Sequence, residues 1–521
     1  MNHPFASLPR FWVALVLLAG VPWSAWASSD RYAVLVSDLH IGAGRSADHK
    51  WRREEDFRWE PEFDKFLDWI DAQGQGKTDL VLVGDVFELW QSPFMTCSRD
   101  PTKPGCIVPD CHDDDTDLGC SEMEAEARLA YTLDQHADFV AAIKAFADRG
   151  ANHVYFVPGN HDAALLFDGV QKLLAERLAT SNAEVLHKGY WLSADGRIYA
   201  DHGHQFDDVN KFAKWPSPFI VTNGVTYMRK PWGENMVQQF YNQYEEIFPI
   251  VDNLSNEKAG VKYAVQQSGI GSSVDAVAKF FRFFLFQESV GQGFTALGRE
   301  GAPLKWNYGA IQAKDIGFFV QVLDPTQAPG VKARQAQVEN KLAFDPKSLS
   351  HNEIDALCGA KEVGDKGEKC PVVGDRKLGA AVAGLLLSEK YMLTNYLQTT
   401  LPDVRRDGQS TAAIYVFGHT HHAVAPTELV LPNMPGGAKL VNYVNTGAFQ
   451  RVAGPAQIDR ILARQTNPAK KSPLDLDPED LPPCYTFVSI SPYSDKPIAK
   501  SMTWIASDGA TFVAAPGTCL N

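Results

Sequence analysis

Five groups of residues with the side chains of metal ligands occur along this chain, and each follows a short apolar run. The groups are Asp38 with His40, Asp85, Asn160 with His161 and Asp162, His202, and His419 with His421. Carboxylate, imidazole and amide groups together form a mixed nitrogen and oxygen site, which suits Mn, Fe, Zn or Co better than Ca. No cysteine lies in any group, so the residue types do not match a structural zinc site.

The apolar runs before these groups are typical of buried β-strands. They are residues 32–36, 80–83, 154–157, 198–200 and 413–417, each ending at turn-forming residues. Ligands placed after such strands lie at their carboxyl ends, where open α/β sheets bind their ligands. Apolar residues at helical spacing over 57–72, 122–147 and 164–179 predict connecting helices. The alternation of strands and helices predicts a layered α/β fold.

The motifs D-x-H, G-D, G-N-H-D, H-G-H and G-H-x-H, in this order, resemble those of the calcineurin-like metallophosphoesterases. The resemblance covers residues 32 to about 455 with one large interruption. It implies an α/β fold, namely a four-layer α/β/β/α metallophosphoesterase sandwich. The strands expected near 484–490 and 501–505 would belong to its second sheet. The stretch between the fourth and fifth groups is too long for a loop, so we also predict a large, mostly helical insertion over the metal cleft.

The same resemblance implies a dinuclear metal centre. The first ion would be held by Asp38, His40, Asp85 and His421, and the second by Asp85, Asn160, His202 and His419. Two divalent or transition-metal ions about 3.5–4 Å apart would activate a water and stabilise the phosphoryl oxygens. His161 would act as general acid or stabilise the transition state, with Asp162 orienting its ring. Asn445-Thr446-Gly447 resembles the stretch that follows the last histidine motif and is expected at the rim of the site.

The hypothesis that follows is an exported metal-dependent hydrolase of a phosphomonoester or phosphodiester. Residues 84–90, GDVFELW, resemble a stretch of UDP-2,3-diacylglucosamine pyrophosphohydrolase, and this likeness keeps a lipid-directed enzyme open as an alternative. His161 stands where that enzyme typically has arginine. The alternative from another class is a catalytically silent binding or scaffolding protein of the same fold.

The first residues have the features of a secretory signal. A basic residue, Arg10, precedes an apolar stretch over 11–22 and an A-x-A cleavage pattern at 25–27. A retained anchor is the alternative, but the stretch is shorter than the roughly 20 residues of a membrane span. We therefore expect a periplasmic or secreted chain without a transmembrane segment, although peripheral membrane contact stays open. The net charge of −14 disfavours nucleic acid as a partner. A small phosphorylated substrate, possibly lipid-linked, is compatible with this charge, because two divalent metal ions would reverse the potential locally.

The domain boundaries follow from these features. We predict a signal peptide over 1–27, a first core part over 28–206, a helical cap over 207–410 and a second core part over 411–521. A cysteine-rich insertion at 91–120 holds Cys97, Cys106, Cys111 and Cys120, whose spacing leaves three disulfide connectivities open and a zinc site as the alternative. Its acidic residues are interpreted as a solvated surface, or alternatively as a calcium site. The pairs Cys358–Cys370 and Cys484–Cys519 are expected to form disulfides in an oxidising compartment.

The cap contains an aromatic stretch at 280–286 that is apolar almost all round. Because a helix that is apolar on every side is normally buried, we interpret this stretch as a second hydrophobic core. The alternative is a cap that takes acyl chains or touches a membrane surface.

Overall fold

The computed structural model describes residues 31–91, 118–207, 210–231, 248–254, 396–397, 412–431, 439–467, 472–491, 497–507 and 511–519, with isolated positions between 233 and 245. The strands are β1 (Tyr32–Val36), β2 (Thr78–Val83), β3 (Leu118–Ser121), β4 (His153–Val157), β5 (Ala183–Val185), β6 (Trp191–Leu192), β7 (Ile198–Ala200), β8 (Phe219–Thr222), β9 (Val225–Arg229), β10 (Ile414–Phe417), β11 (Val424–Leu431), β12 (Lys439–Asn445), β13 (Cys484–Ile490), β14 (Ala499–Ala506) and β15 (Phe512–Pro516). The helices are α1 (Glu60–Gly74), α2 (Glu122–Gln135), α3 (Ala137–Ala147), α4 (Asp168–Leu178) and α5 (Pro455–Arg464).

A seven-stranded sheet contains the strands that precede the first three ligand groups. Its order is β15-β14-β13-β1-β2-β4-β5, and β1, β2, β4 and β5 run parallel. Every residue of β1 and β2 is buried, which is why β1 and the last four residues of β2 are continuous apolar runs rather than alternating ones. Because β1, β2 and β4 are neighbours and parallel, their carboxyl ends lie side by side.

The other two ligand strands belong to a five-stranded sheet with the order β11-β12-β10-β7-β6. Here β10 runs parallel to both β7 and β12. The two sheets pack face to face through buried aliphatic side chains, among them Leu35 and Val83 from the first sheet and Val416 and Val444 from the second. This packing brings the carboxyl ends of all five ligand strands together.

Helices α1 to α4 cover the outer face of the seven-stranded sheet. Phe63 and Phe66 of α1 pack among Phe449, Phe487 and Trp504 in a large aromatic core. On the outer face of the five-stranded sheet, Tyr396 and Leu397 are buried against its side chains. The mixed α/β architecture predicted from the sequence is therefore confirmed.

The C-terminal strands differ from the prediction, which placed them in the second sheet. β13 instead pairs antiparallel with β1, with Leu35 opposite Val488, and β14 follows it in the seven-stranded sheet. The physical reason is burial: β13 places Phe487 in the helix-side core and Val488 in the core between the sheets. A strand with apolar side chains on both faces fits beside β1, whose edge opposite β2 needs a partner.

The amphipathic stretch predicted over 122–147 is two helices rather than one. α2 and α3 are separated by His136, whose φ of −116° and ψ of 45° are not helical. Its buried ring has Nδ1 2.8 Å from Glu60 Oε1 and Nε2 3.4 Å from Glu55 Oε2. The break allows one imidazole to reach two carboxylates.

Several predictions lie wholly or mostly outside the described residues. These are the signal peptide, most of the cysteine-rich insertion, the aromatic stretch at 280–286 and the Cys358–Cys370 pair. In the described part of the insertion at 207–410, β8 and β9 form a hairpin that pairs with β3. The Cys484–Cys519 disulfide is confirmed, and Cys120 is also disulfide-bonded. Among the described helices none is long and apolar enough to cross a bilayer.

Candidate metal centre

The loops after the ligand strands adopt an uncommon backbone conformation. Asp38, His40, Asp85, His419 and His421 all have φ between 47° and 71°. Such left-handed values cost free energy in residues other than glycine, and they concentrate at functional sites. Hydrogen bonds between the loops stabilise the conformation, because the amides of Leu39 and His40 both donate to the carbonyl oxygen of Asp85.

Asp38, His40 and His421 form the first cluster of potential ligand atoms, all within 4.8 Å of one another. The two histidines lie with their Nε2 atoms 3.1 Å apart. His40 Nδ1 lies 2.8 Å from Glu88 Oε2, and His421 Nδ1 lies 3.3 Å from the carbonyl oxygen of Asp252. Since both partners are acceptors, each Nδ1 carries the proton and each Nε2 presents a lone pair.

Asp85, His202 and His419 form the second cluster. His202 Nδ1 lies 2.9 Å from the carbonyl oxygen of Val83, so this nitrogen carries a proton. Its Nε2 faces Asp85 Oδ2 at 2.8 Å and Asn160 Oδ1 at 3.0 Å. His419 Nε2 lies 3.1 Å from Asp207 Oδ2, an acceptor that assigns the proton to Nε2 and leaves Nδ1 as the ligand atom.

Asp85 belongs to the second cluster and also lies near the first. Its Oδ2 atom is 2.8 Å from His202 Nε2 and 4.0 Å from His40 Nε2, while its Oδ1 accepts a hydrogen bond of 2.8 Å from the His161 amide. The neighbouring glycines make this approach possible. A Cβ on Gly159 would lie 2.1 Å from Asp85 Oδ1, so no other residue fits there without displacing the carboxylate.

The chemistry of these residues fits a pair of cations. Lone pairs of His40 and His421 point at each other, which is unfavourable unless a cation lies between them. Asp38 Oδ1 is buried and accepts no hydrogen bond, although it lies 3.4 Å from His421 Nε2. At His202, burial lowers the pKa, but the carboxylates of Asp85 and Asp38 outweigh it and raise the pKa to about 9. The buried carboxylates of Asp38 and Asp85 thus supply negative charge at the ligand atoms, which suits a bound cation.

His161 lies beside the two clusters with its side chain 17% exposed. Its ring contacts Trp90 at a centroid distance of 4.1 Å and meets His40 edge to face at 4.7 Å. Burial lowers its pKa, but the charges of Glu88 and Asp85 raise it to about 9, so the imidazole holds a proton at neutral pH. A protonated ring at the edge of the site suits a general acid.

The carboxylate that orients His161 is a residue that the sequence analysis did not assign. His161 Nδ1 lies 2.5 Å from Glu88 Oε2, the same atom that contacts His40 Nδ1. Burial raises the pKa of Glu88, but the charge of His161 and hydrogen bonds to both rings lower it to about 2, so Glu88 is ionised. The position three residues after Asp85 in the G-D-V-F-E stretch was the available signal.

Asp162 was predicted to orient the His161 ring, but its carboxylate accepts hydrogen bonds from backbone amides instead. Its Oδ2 accepts from the amides of Val86 and Phe87, and its Oδ1 accepts from the amide of Gly159. Burial and the charge of Asp85 raise its pKa to about 6. Asp162 thus connects the loop after β2 to the loop after β4, while Glu88 contacts the catalytic candidate.

The Asn445-Thr446-Gly447 stretch was expected at the rim of the site, but its polar side chains are buried beneath the loops that carry the predicted ligands. Ser37 Oγ donates to Asp38 Oδ2 and also lies 2.6 Å from Thr446 Oγ1. Asn445 Nδ2 donates to the carbonyl oxygen of Gly418 at 2.8 Å. All three polar side chains are buried, and they support the loops that carry Asp38 and His419.

The structure thus brings all seven predicted ligands and His161 together. Residues 33–245 match the calcineurin-like phosphoesterase family, a range that includes every group except His419 and His421. No curated protein and no solved structure matches the chain significantly. The family match and the buried ligand clusters define a metal-dependent hydrolase of phosphate esters. The chain carries a calcineurin-like phosphoesterase domain.

Proposed function

We propose that this protein is an exported dinuclear phosphoesterase that hydrolyses a phosphomonoester or phosphodiester. The observation that carries the dinuclear assignment is the pair of buried ligand clusters, of which Asp85 belongs to the second and also lies 4.0 Å from His40 of the first. Asp38, His40 and His421 would hold one ion, Asn160, His202 and His419 the other, and Asp85 both. When bound, the ions would supply Lewis acidity and a nucleophilic water at neutral pH.

The protein's own residues account for orientation and proton transfer. The Nδ1 partners of His40, His202 and His421 select the tautomer in which Nε2 is the ligand. His161 holds a proton beside the clusters, and Glu88 keeps that ring in place. His161 would give this proton to the leaving oxygen, and Glu88 would stabilise the charged form before transfer.

Metal analysis and turnover test the proposal together. We expect about two transition-metal ions per chain, loss of phosphatase or phosphodiesterase activity on chelation, and recovery when metal is restored. Comparing para-nitrophenyl phosphate with bis-para-nitrophenyl phosphate distinguishes a monoesterase from a diesterase. A protein that binds a single ion, or that keeps full activity without metal, would contradict the dinuclear assignment.

Export rests on the sequence of the first 27 residues and is supported by disulfide bonding at Cys120, Cys484 and Cys519. Structural disulfides persist in oxidising compartments. Mass spectrometry of the protein recovered from the cell envelope or medium should give a mature chain that starts near Ser28. An intact N-terminus on a cytoplasmic protein would contradict export.

A further inference from the structure

The hairpin formed by β8 and β9 extends beyond the hydrophobic core. Its strands are joined at Asn223 and Gly224, whose φ values of 51° and 78° are typical of a tight two-residue turn. A Cβ on Gly224 would have no atom within 4 Å apart from its chain neighbours, so open space surrounds the turn. Met228 and Val221 lie on the same face of the hairpin, but Met228 at its base is 5% exposed and Val221 near the turn is 70% exposed. The hairpin therefore leaves the core at its base and projects into solvent at its turn.

The projecting end of the hairpin is apolar on both of its faces. Val225 lies opposite Thr222, and Val221 lies opposite Thr226. Because successive side chains point to opposite faces of a strand, the two valines lie on opposite faces of the hairpin. Val225 is 40% exposed, so both valines are open to solvent.

A third apolar side chain lies at the same end of the three-stranded sheet. Ser121 of β3 pairs with Tyr227 of β9, and two residues further on Met123 is 55% exposed. Because β3 runs antiparallel to β9, Met123 follows Ser121 in the direction in which Val225 precedes Tyr227. Three of the six large hydrophobic side chains that are exposed in the described residues thus lie at one end of this sheet. Single apolar side chains on a surface are ordinary, whereas a group of them is typical of an interaction surface.

The charges around this surface match a phospholipid bilayer. Residues 215–228 contain no charged side chain, although 21% of the chain is charged. The exposed Lys214 lies at the base of the hairpin, on the turn that its carbonyl oxygen closes with the amide of Ser217. Arg229 is also at the base, where its amide donates to Pro218. At about 3.3 Å per residue β8 is about 10 Å long, which is close to the depth of about 5–10 Å that interfacial segments reach in a bilayer. Cations at the base would then lie at the level of the lipid phosphates.

The carboxylates next to Met123 in the sequence have partners inside the protein. Glu122 Oε1 accepts from the Gly169 amide at 2.6 Å. Glu124 is 3% exposed and lies 3.2 Å from the guanidinium of Arg128. The negative charges nearest to Met123 in the chain are therefore engaged within the fold.

This arrangement favours a lipid surface over a folded partner. A protein that docks on the hairpin covers one face and leaves the valine of the other face in water. The interfacial region of a bilayer surrounds an inserted tip on all sides, and basic side chains at its base can reach the lipid phosphates.

We propose that the β8–β9 hairpin is a membrane-contact element, and that its tip, with Val221, Val225 and Met123, enters the surface of a phospholipid bilayer. This assignment rests on the hairpin alone and is independent of the proposed catalytic function. It has a consequence for the metal centre, because Met228 of the same hairpin lines a small cavity together with His161. A chain bound through this tip would hold His161 within about one hairpin length of the bilayer.

Binding is measured by flotation of the full chain with phosphatidylcholine vesicles, which carry no net charge and therefore do not repel a chain of net charge −14. We expect the unmodified protein to float with the vesicles. The double variant Val221→Asp with Val225→Asp should weaken partitioning by about tenfold or more, because carboxylates replace the apolar groups that enter the lipid. Ile498→Asp with Val513→Asp makes the same change in charge at two exposed apolar positions beside and within the strands β14 and β15, and should leave partitioning unchanged.

A second pair of variants tests the same surface in the opposite direction. Tryptophan favours the membrane interface, so Val221→Trp should strengthen partitioning by about fivefold, whereas Val513→Trp should not. This pair decides the question if the aspartates lower the melting temperature of the hairpin variant.

An unmodified protein that stays unbound, or equal partitioning within either matched pair, would overturn the membrane assignment. Sedimentation velocity gives a further contrary outcome. If the protein self-associates without binding vesicles, and the hairpin aspartates abolish that association, the surface belongs to contacts between copies of this chain and the membrane assignment fails.

Discussion

Glu88 contacts two imidazoles for which different roles are predicted, metal binding for His40 and proton transfer for His161. One carboxylate oxygen lies 2.8 Å from Nδ1 of the predicted ligand His40 and 2.5 Å from Nδ1 of His161. Residues that orient metal ligands typically affect metal affinity, whereas a general acid affects turnover. Glu88 should therefore affect both, and His161 only the second.

We predict that His161→Ala retains its metal ions and loses about 10²- to 10⁴-fold in turnover, the range typical of general acid catalysis. Glu88→Gln should also lose turnover, and should in addition bind metal about 10- to 100-fold more weakly, because a neutral amide no longer stabilises the His40 tautomer. Metal content and kcat are measured for both variants on one substrate. A Glu88→Gln protein with normal affinity and turnover, or a His161→Ala protein that loses its metal, would show that these roles are misassigned.

At the scale of elements, the junction between α2 and α3 depends on one buried histidine. His136 lies between Glu55 and Glu60, and its ring stacks on Trp51 at 6.0 Å. Glu55 also accepts from the amides of Gly42, Gly44 and Phe57. The ion-pair contacts connect α1, the helix junction and the loop that follows His40.

The protonation of His136 should make stability depend on pH. Burial lowers its pKa, but the charge of Glu55 and hydrogen bonds to Glu55 and Glu60 outweigh it and raise the pKa from 6.5 to about 9. Because the folded state binds the proton more tightly, this stabilisation is fully present below about pH 6.5 and is lost as pH rises through about 9. Its size is on the order of 3–4 kcal/mol, since one pKa unit corresponds to about 1.4 kcal/mol.

We therefore predict that His136→Asn lowers the free energy of unfolding most near ~pH 6, and that its difference from the unmodified protein shrinks towards ~pH 10. Urea unfolding at several pH values measures this difference. His187→Asn, at an exposed position, is the control and should leave the pH dependence unchanged. A His136→Asn penalty that stays constant with pH would contradict the ionic role.

At the scale of the whole molecule, the predicted metal ligands come from both sheets. Asp38, His40, Asp85 and Asn160 follow strands of the seven-stranded sheet, while His202, His419 and His421 follow strands of the five-stranded sheet. Ions held by both sets would resist separation of the sheets at that rim. Asp85 belongs to the second cluster and also lies near the first, so its loss should be the most damaging single change.

We predict that adding metal to chelated protein raises its melting temperature, with a stabilisation of about 2.7 kcal/mol at a free metal concentration of about 100 times Kd. Asp85→Ala should abolish most of this gain and lower metal content at both sites. Differential scanning calorimetry with metal analysis measures both effects. Equal stabilisation of Asp85→Ala and the unmodified protein would contradict a bridging role for Asp85.

The local elements were largely predictable from the sequence. The limits of β1 and β7 agree with their apolar runs, because a strand buried on both faces is a continuous run bounded by turn residues. The choice of sheet for β13 was not predictable. Strand pairing joins residues far apart in the chain. β13 pairs with the edge of β1 opposite β2, because β13 has apolar side chains for the cores on both faces of the sheet.

The sequence by itself determined the types and order of the ligand residues, since metal chemistry limits which side chains can serve and each follows its own strand. Their assignment as ligands stays a prediction. Only the tertiary structure decided which partner each functional group has. Glu88 rather than Asp162 contacts His161, and α2 ends before His136. Both outcomes depend on where loops distant in sequence approach one another. Local patterns report propensity and burial, whereas these contacts arise from the packing of the two sheets and their helices.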